Sequence, residues 1–229
     1  MPDAKLTVVP VHGAWAECAS WTEIILPLQK LGLGVVCAPI PLTSLSDDVA
    51  ALDRVLARIE GDIVLVGHAY AGAVIGATKN ERVKLLVYVA ALAPDAGETV
   101  AEVFYREPPH AQAPKLAPDD AGFIWMPPEG FENAFAQDAT PDVKAVILAT
   151  QRPIHLNCIQ EKAPRPLWKD KPVWFLVAEN DRMISAKTQQ FQAARMGATV
   201  RAHAVDHSPM LTAPRKVVDV LLEAIGTML

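Results

Sequence analysis

Residues 66–72 read Val-Gly-His-Ala-Tyr-Ala-Gly, and this stretch decides the fold that the sequence predicts. It continues a short apolar run, 62–66, whose apolar residues are consecutive rather than alternating, which is typical of a strand buried in a parallel sheet. Gly67 precedes the centre of the stretch and Gly72 follows it. A sharp turn from a strand into a helix needs such small residues, because the two backbones approach closely. We therefore predict a strand–turn–helix junction with Ala69 at its tip.

Strands and helices alternate on both sides of this junction. Alternation of this kind predicts an α/β fold with a parallel sheet of about six strands, joined by right-handed crossovers and flanked by helices. Apolar runs predict strands at 6–11, 34–39, 62–66, 83–91, 173–178 and 199–205. Apolar residues at helical spacing predict helices at 21–31, 49–59, 189–196 and 214–228, with Ser46, Asp47 and Asp48 as the cap and first-turn acids of the second helix.

The alternation stops after Pro94. From residue 95 to residue 170 the sequence is rich in proline and in helix fragments, and it contains no convincing strand. Thr140 is placed to cap a helix that ends near Thr150. We predict that 1–94 and 171–229 form one α/β core, and that 95–170 is a helical lid over the carboxyl edge of its sheet.

Composition excludes several classes of partner and cofactor. The formal net charge is −5, from 21 Lys and Arg against 26 Asp and Glu, without a long run of like charge, so we expect neither a nucleic-acid nor a membrane partner. Cys18, Cys37 and Cys158 lack metal-ligand and disulfide spacing, and no Gly-rich dinucleotide fingerprint is present, so we expect no metal and no cofactor. The sequence shows no signal peptide and no spanning segment, from which we expect a cytoplasmic protein. The sequence leaves the oligomeric state open.

Chemistry-bearing residues follow three of the predicted strands. Ligands of open parallel sheets bind beyond the carboxyl ends of the strands, so these positions are candidates for a site. The first strand runs into His12-Gly13-Ala14-Trp15, the fifth is followed by Asp181, and the sixth by His207.

Together these residues resemble the α/β-hydrolase superfamily over nearly the whole chain. The turn after the first strand, the small size and the mid-chain lid are most similar to the branch that holds hydroxynitrile lyases, plant methylesterases and related bacterial hydrolases, with the usual N-terminal hairpin absent. The resemblance implies a nucleophile elbow at 67–72, Asp181 as the triad acid and His207 as the base. It also implies an oxyanion hole formed by the backbone amides of Ala14 and Tyr70.

The walls of the pocket are predicted from aromatic residues near the same edge and in the lid. Trp15, Phe104 and Trp125 are our choice for an apolar small-molecule pocket, from a larger set that also holds Tyr105, Phe123, Phe131 and Phe135. His12 is predicted to brace the loop after the first strand, and His68 to pack beneath the turn.

Alanine stands at the position of the family's serine nucleophile, and a methyl group cannot form an acyl-enzyme. Three hypotheses follow. In the first, the alanine is an engineered, inactivating replacement of the natural serine of an ester or lactone hydrolase. In the second, the chain is a natural serine-free enzyme whose His207 and Asp181 form a general-base dyad. In the third, it is a retired enzyme kept as a ligand-binding protein. Ala71, where the family often has glycine, is a second departure and favours natural divergence.

Overall fold

The structure, a computed structural model, describes residues 5–228. Its strands are β1 (Leu6–Val11), β2 (Gly34–Val35), β3 (Asp62–His68), β4 (Val83–Val89), β5 (Phe123–Ile124), β6 (Ile154–His155), β7 (Val173–Ala178) and β8 (Thr199–His203). Six of them form one parallel sheet in the order β2-β1-β3-β4-β7-β8, and β5 pairs with β6 in a separate antiparallel ribbon. The predicted α/β fold with a six-stranded parallel sheet is confirmed.

Helices lie on both faces of the sheet. They are α1 (Thr22–Lys30), α2 (Leu45–Leu56), α3 (Ala71–Ala77), α4 (Val100–Phe104), α5 (Pro128–Gly130), α6 (Pro141–Thr150), α7 (Leu156–Gln160), α8 (Ala186–Arg195), α9 (Pro209–Thr212) and α10 (Pro214–Gly226). A π-helical turn, Phe131–Phe135, follows α5, and 3₁₀ turns lie at Cys18–Trp21 and Leu167–Lys169. One apolar core joins the sheet to α2, α3 and α8, and a second joins its other face to α1 and α10.

Two predicted boundaries were wrong for identifiable reasons. The second helix begins at Leu45 and not after Ser46, because the Ser44 hydroxyl accepts a hydrogen bond from the Asp47 amide and caps the helix. The second strand is shorter than 34–39: beyond Val35 a single bridge pairs Ala38 with β1.

The 95–170 segment contains strands, which the sequence did not predict. Phe123–Ile124 and Ile154–His155 pair antiparallel, and two residues are too few for a period-2 pattern to be recognised. The helix predicted after Thr140 is present, and the Thr140 hydroxyl caps it. The division of the chain after residues 94 and 170 stays a prediction. Within the described range, no helix is long and apolar enough to span a membrane.

The junction between β3 and α3 is a tight turn. Ala69 has φ +49°, in the left-handed region that few residues other than glycine adopt. A Cβ at Gly72 would lie 2.4 Å from the carbonyl oxygen of Leu92, and a Cβ at Gly67 would lie 2.9 Å from that of Ala71. Because both obstacles are backbone atoms, only glycine fits at these two positions, and the predicted strand–turn–helix junction is present.

We expect Gly72→Ala to lower the free energy of unfolding by about 3 kcal/mol or more, since the backbone of the neighbouring loop would have to move. Urea unfolding measures the change. Gly226→Ala is the matched control: its Cβ would meet nothing within 4 Å, so this substitution should be neutral or slightly stabilising. Equal stability of the two variants would contradict the close approach at the turn.

Candidate functional site

A cavity of about 300 Å³ lies between the carboxyl edge of the sheet and the 95–170 segment. The sheet side contributes Ala14, Trp15, Ala69, Tyr70 and His207, and the segment contributes mainly aliphatic and aromatic side chains. No Lys, Arg, Asp or Glu of the described chain is among the lining residues. The cavity is therefore apolar, with one imidazole in its wall.

His207 and Asp181 form a buried pair. The Nδ1 atom of His207 lies 2.8 Å from Oδ2 of Asp181, and both side chains are almost wholly inaccessible to solvent. Asp181 also accepts hydrogen bonds from the amides of Met183 and Ile184, at 2.7 and 2.9 Å, and from Nε2 of Gln189 at 2.8 Å. A carboxylate surrounded by four donors is fixed in orientation.

This pairing determines the tautomer of His207. Because the carboxylate of Asp181 only accepts, Nδ1 of His207 carries the proton, and Nε2 is left as an acceptor. Nε2 has no hydrogen-bond partner among residues 5–228, and the ring lines the cavity. The site thus holds a basic nitrogen that can take up a proton.

His68 holds the backbone of His207. Its Nε2 donates to the carbonyl oxygen of His207 at 2.8 Å, and its ring centroid lies 4.8 Å from that of His207. Full burial lowers the pKa of His68 well below its usual value, so the side chain is a neutral donor. The Phe135 ring packs on His207 from another direction, with centroids 5.2 Å apart. The imidazole of His207 is therefore fixed by packing as well as by hydrogen bonds.

Two backbone N–H groups at the cavity are unpaired. The amides of Ala14 and Tyr70 donate to no other group in the part of the chain that the structure describes, although both residues are buried. Such orphaned amides are uncommon in folded proteins. Two adjacent amides are paired: that of Trp15 donates to the carbonyl of Arg152 at 2.9 Å, and that of Ala69 donates to the carbonyl of Val89 at 3.3 Å. Ala14 and Tyr70 thus offer two free donors beside the Ala69 methyl.

His12 contacts backbone groups only. Its Nε2 accepts from the amide of Ile40 at 3.2 Å, and its Nδ1 lies 2.9 Å from the carbonyl oxygen of Gly13. Burial lowers its pKa to about 4, so the ring is neutral near pH 7. These contacts fit the predicted role of a brace for the loop before Ala14.

Two of the three aromatic residues chosen from the sequence lie at this cavity. Trp15 and Phe104 line the cavity, as do Tyr105 and Phe135 of the larger set. Trp125 does not line this cavity: it is 50% exposed, and its indole N–H donates to Asp119. The residue lies just after β5, and the hydrogen bond to the exposed carboxylate holds the indole at the surface.

Sequence reasoning missed Asp48. It was assigned to the first turn of a helix as an ordinary acid, but its side chain is fully buried. Its Oδ1 accepts from the amide of Leu42 and its Oδ2 from the hydroxyl of Tyr70, both at 2.7 Å. Burial raises the pKa of Asp48 to about 6, against the lowering effect of these hydrogen bonds. Nothing in the local pattern distinguishes this acid from an exposed one.

All three cysteines are free thiols. No group of three or more His, Cys, Asp or Glu residues within 5–228 is arranged to hold a metal ion.

Comparison with known proteins gives matches over the whole fold. A family model described as the alpha/beta hydrolase family matches residues 8–220. The α/β hydrolase nvfD of Aspergillus novofumigatus (strain IBT 16806) is 24% identical over 249 residues, which cover 97% of this chain and 97% of the relative.

Solved structures match with low sequence identity. Polyneuridine aldehyde esterase has a TM-score of 0.83 at 19% identity, over 96% of this chain and 98% of that one. A histidine-to-alanine variant of tomato methylketone synthase I, complexed with β-ketoheptanoate, has a TM-score of 0.81 at 17% identity. The match covers 98% of this chain and 99% of that one. The Arabidopsis methylesterase MES16 has a TM-score of 0.79 at 16% identity, over 97% of this chain and 99% of that one. At these identities the likeness establishes the fold.

The buried carboxyl of Asp48 predicts a pH-dependent stability. Its pKa is about 6 in the folded state against 3.8 for a free side chain, so the folded state binds the proton more tightly. The free energy of unfolding therefore falls as the pH rises from about 4 to about 6. At about 1.4 kcal/mol per pH unit, the total loss is about 3 kcal/mol.

Asp48→Asn removes this titration, so the free energy of unfolding of the variant should not fall over this pH range. The difference in free energy of unfolding between the variant and the wild type should therefore shift by about 3 kcal/mol in favour of the variant between about pH 4 and about pH 7. Urea unfolding at both pH values measures the gain. Asp47→Asn, which changes an exposed acid on the same helix, is the control. Parallel stability profiles for the wild type and Asp48→Asn would contradict the raised pKa.

Proposed function

The chain belongs to the α/β-hydrolase family, and we propose that it is an enzyme that acts on an apolar carbonyl compound without a covalent intermediate. His207 and Asp181 are the proton-transfer pair, and the amides of Ala14 and Tyr70 form an oxyanion hole. The 95–170 segment is the lid that closes the pocket over them.

The observation that carries this proposal is the intact pair of His207 and Asp181 beside a methyl group. Asp181 is buried with four hydrogen-bond donors around it, and Nε2 of His207 has no hydrogen-bond partner among residues 5–228. Burial of an oriented acid and base costs free energy unless the groups are used or fully satisfied. A protein that only bound an apolar ligand would need neither the carboxylate nor the free basic nitrogen.

The groups at hand limit the reaction class. Without a hydroxyl at Ala69 no acyl-enzyme forms, but proton transfer and stabilisation of a negative oxygen are still available. Nε2 of His207 removes a proton from the carbon next to the substrate carbonyl. The electron pair of that C–H bond forms the carbon–carbon double bond of the enolate, and the π pair of the carbonyl moves onto its oxygen. The amides of Ala14 and Tyr70 donate to the resulting enolate, and Asp181 stabilises the imidazolium until the proton is returned to carbon or oxygen.

The lining supports an apolar substrate. Within the described chain the cavity wall holds no charged side chain, so a substrate is held by apolar contact and by its carbonyl oxygen. The ligand in the tomato methylketone synthase I structure, β-ketoheptanoate, has an alkyl chain, a ketone and a carboxylate. A short alkyl ketone or β-dicarbonyl compound is accordingly the first substrate class to test.

The second candidate is an ester or lactone hydrolase in which alanine has replaced a natural serine. It is favoured by the left-handed backbone at Ala69. This conformation costs any residue that has a side chain about 1 kcal/mol. Such a cost has no evident use when the side chain is an inert methyl group. The ligand-binding protein is the third candidate.

We expect Ala69→Ser to raise hydrolysis of p-nitrophenyl butyrate by about 100-fold or more, with a burst of nitrophenol, since a hydroxyl would then lie beside the base. Steady-state and stopped-flow absorbance measure both effects. The Ala69→Ser/His207→Ala double variant is the control and should lose the gain. No gain in the single variant would contradict the joint placement of residue 69, the base and the two amides.

We expect the wild type to bind hexanoylacetone, an alkyl β-diketone, largely as its enolate near pH 7, because the two amides stabilise the oxygen anion and His207 takes the proton. The near-ultraviolet absorbance of the enolate measures the bound fraction. His207→Ala should lower this fraction about tenfold or more, and His110→Ala, an exposed histidine away from the cavity, should not. Unchanged affinity and unchanged spectrum in His207→Ala would favour the ligand-binding protein.

A further inference from the structure

Asp48 is a buried acid for which the proposed reaction has no direct use. Its side chain is fully buried on α2, and no Lys, Arg or His of the described residues pairs with it. A carboxyl group removed from water without a cation costs several kcal/mol unless hydrogen bonds replace the lost solvent. Asp48 does not line the cavity, so it does not touch a ligand there.

The donors to Asp48 come from three separate parts of the chain. They are the amide of Leu42 in the loop before α2, the hydroxyl of Tyr70 at the β3–α3 turn, and the thiol of Cys158 on α7, at 2.7, 2.7 and 3.5 Å. Tyr70 lines the cavity from the sheet side. The carboxyl group of Asp48 therefore joins the turn that bears one free amide to a helix of the 95–170 segment.

The same helix is a wall of the cavity. Leu156 and Ile159 of α7 line it from the side opposite the sheet. Two further contacts attach α7 near Asp48: the amide of His155 donates to the carbonyl oxygen of Leu42 at 2.9 Å, and the amide of Ser46 donates to the carboxylate of Glu161 at 2.9 Å. The start of α2 thus holds α7 at both ends, with Asp48 in the middle.

Tyr70 is held at both ends of its side chain. Its backbone begins α3, and its phenol oxygen is bonded to Asp48 at the far end of the ring. A residue anchored at its tip cannot rotate about the turn, so the direction of its backbone N–H is fixed together with the ring. An amide must point at the developing oxygen anion within a few tenths of an ångström to stabilise it, so this anchoring bears on catalysis.

We infer that Asp48 is a positioning residue, which acts through the Tyr70 hydroxyl to aim the Tyr70 amide and to seat α7 as the cavity wall. This inference rests on the proposed function, because it gives the Tyr70 amide the role of an oxyanion donor. The Asp48 carboxyl takes no part in proton transfer.

The test measures enolate stabilisation separately from binding. Asp48→Asn and Tyr70→Phe each break or weaken the anchor while keeping the backbone amide of residue 70. Each should lower the enolate fraction of bound hexanoylacetone by about tenfold, while the affinity for a saturated methyl ketone of equal chain length stays within about twofold. Both substitutions act on one contact. The enolate fraction in the double variant should therefore be no lower than in the single variant with the larger loss.

Asp47→Asn is the matched control, since Asp47 is an exposed neighbour on the same helix whose carboxylate contacts Thr43 and not Tyr70. It should leave both measurements unchanged. An effect limited to thermal stability, or a double variant whose losses add, would overturn the positioning role of Asp48.

Hydrogen exchange at α7 separates this inference from the proposed function. The amides of α7 should exchange at least about tenfold faster in Asp48→Asn than in Asp47→Asn, and equal rates would overturn the seating of α7. A wild type that binds hexanoylacetone with no enrichment of enolate would contradict the proposed function. A wild type that enriches it, together with an Asp48→Asn protein that enriches it equally, would overturn the positioning role alone.

Discussion

The left-handed turn at Ala69 constrains the rest of the site. With φ +49° the chain reverses within one residue, and the Ala69 carbonyl oxygen accepts from the amides of Gly72 and Leu92 at 3.1 and 2.9 Å. This arrangement leaves the Tyr70 amide unpaired and turns the residue-69 side chain towards the cavity. It is possible only because Gly67 and Gly72 allow β3, α3 and the loop after β4 to approach closely. The geometry that would present a nucleophile is thus maintained around a methyl group.

The polar groups of the site lie behind an apolar surface. Asp181 and Asp48 are buried and do not line the cavity, but each bonds residues that do: Asp181 bonds His207 and the amides of Met183 and Ile184, and Asp48 bonds Tyr70. In a medium from which water is excluded, such fixed groups act strongly on charge that develops in the cavity. Among the described residues, the apolar lining with the imidazole of His207 and the unpaired amides of Ala14 and Tyr70 supports the proposed proton transfer at a carbonyl compound over recognition of an ionic ligand.

Sequence reasoning succeeded where a local pattern has a single physical cause. Continuous apolar runs placed β1 and β7 at their observed bounds, and small residues around Ala69 placed the turn. It failed where the cause is tertiary. Asp48 has the sequence context of a solvated first-turn acid, and only the packing of Tyr70 and Cys158 against α2 makes it a buried acceptor. The β5–β6 ribbon depends on a pairing across some thirty residues, which no local period encodes.

Exchange of carbon-bound hydrogen for deuterium tests the central claim most directly, because it needs only the base, the two amides and a bound carbonyl compound. A saturated alkyl methyl ketone incubated with the protein in D₂O would be followed by proton NMR. We expect the wild type to accelerate exchange at the carbons next to the carbonyl, and His207→Ala to reduce the rate to that of the buffer. Exchange at the buffer rate in the wild type, with the ketone shown to be bound, would contradict it.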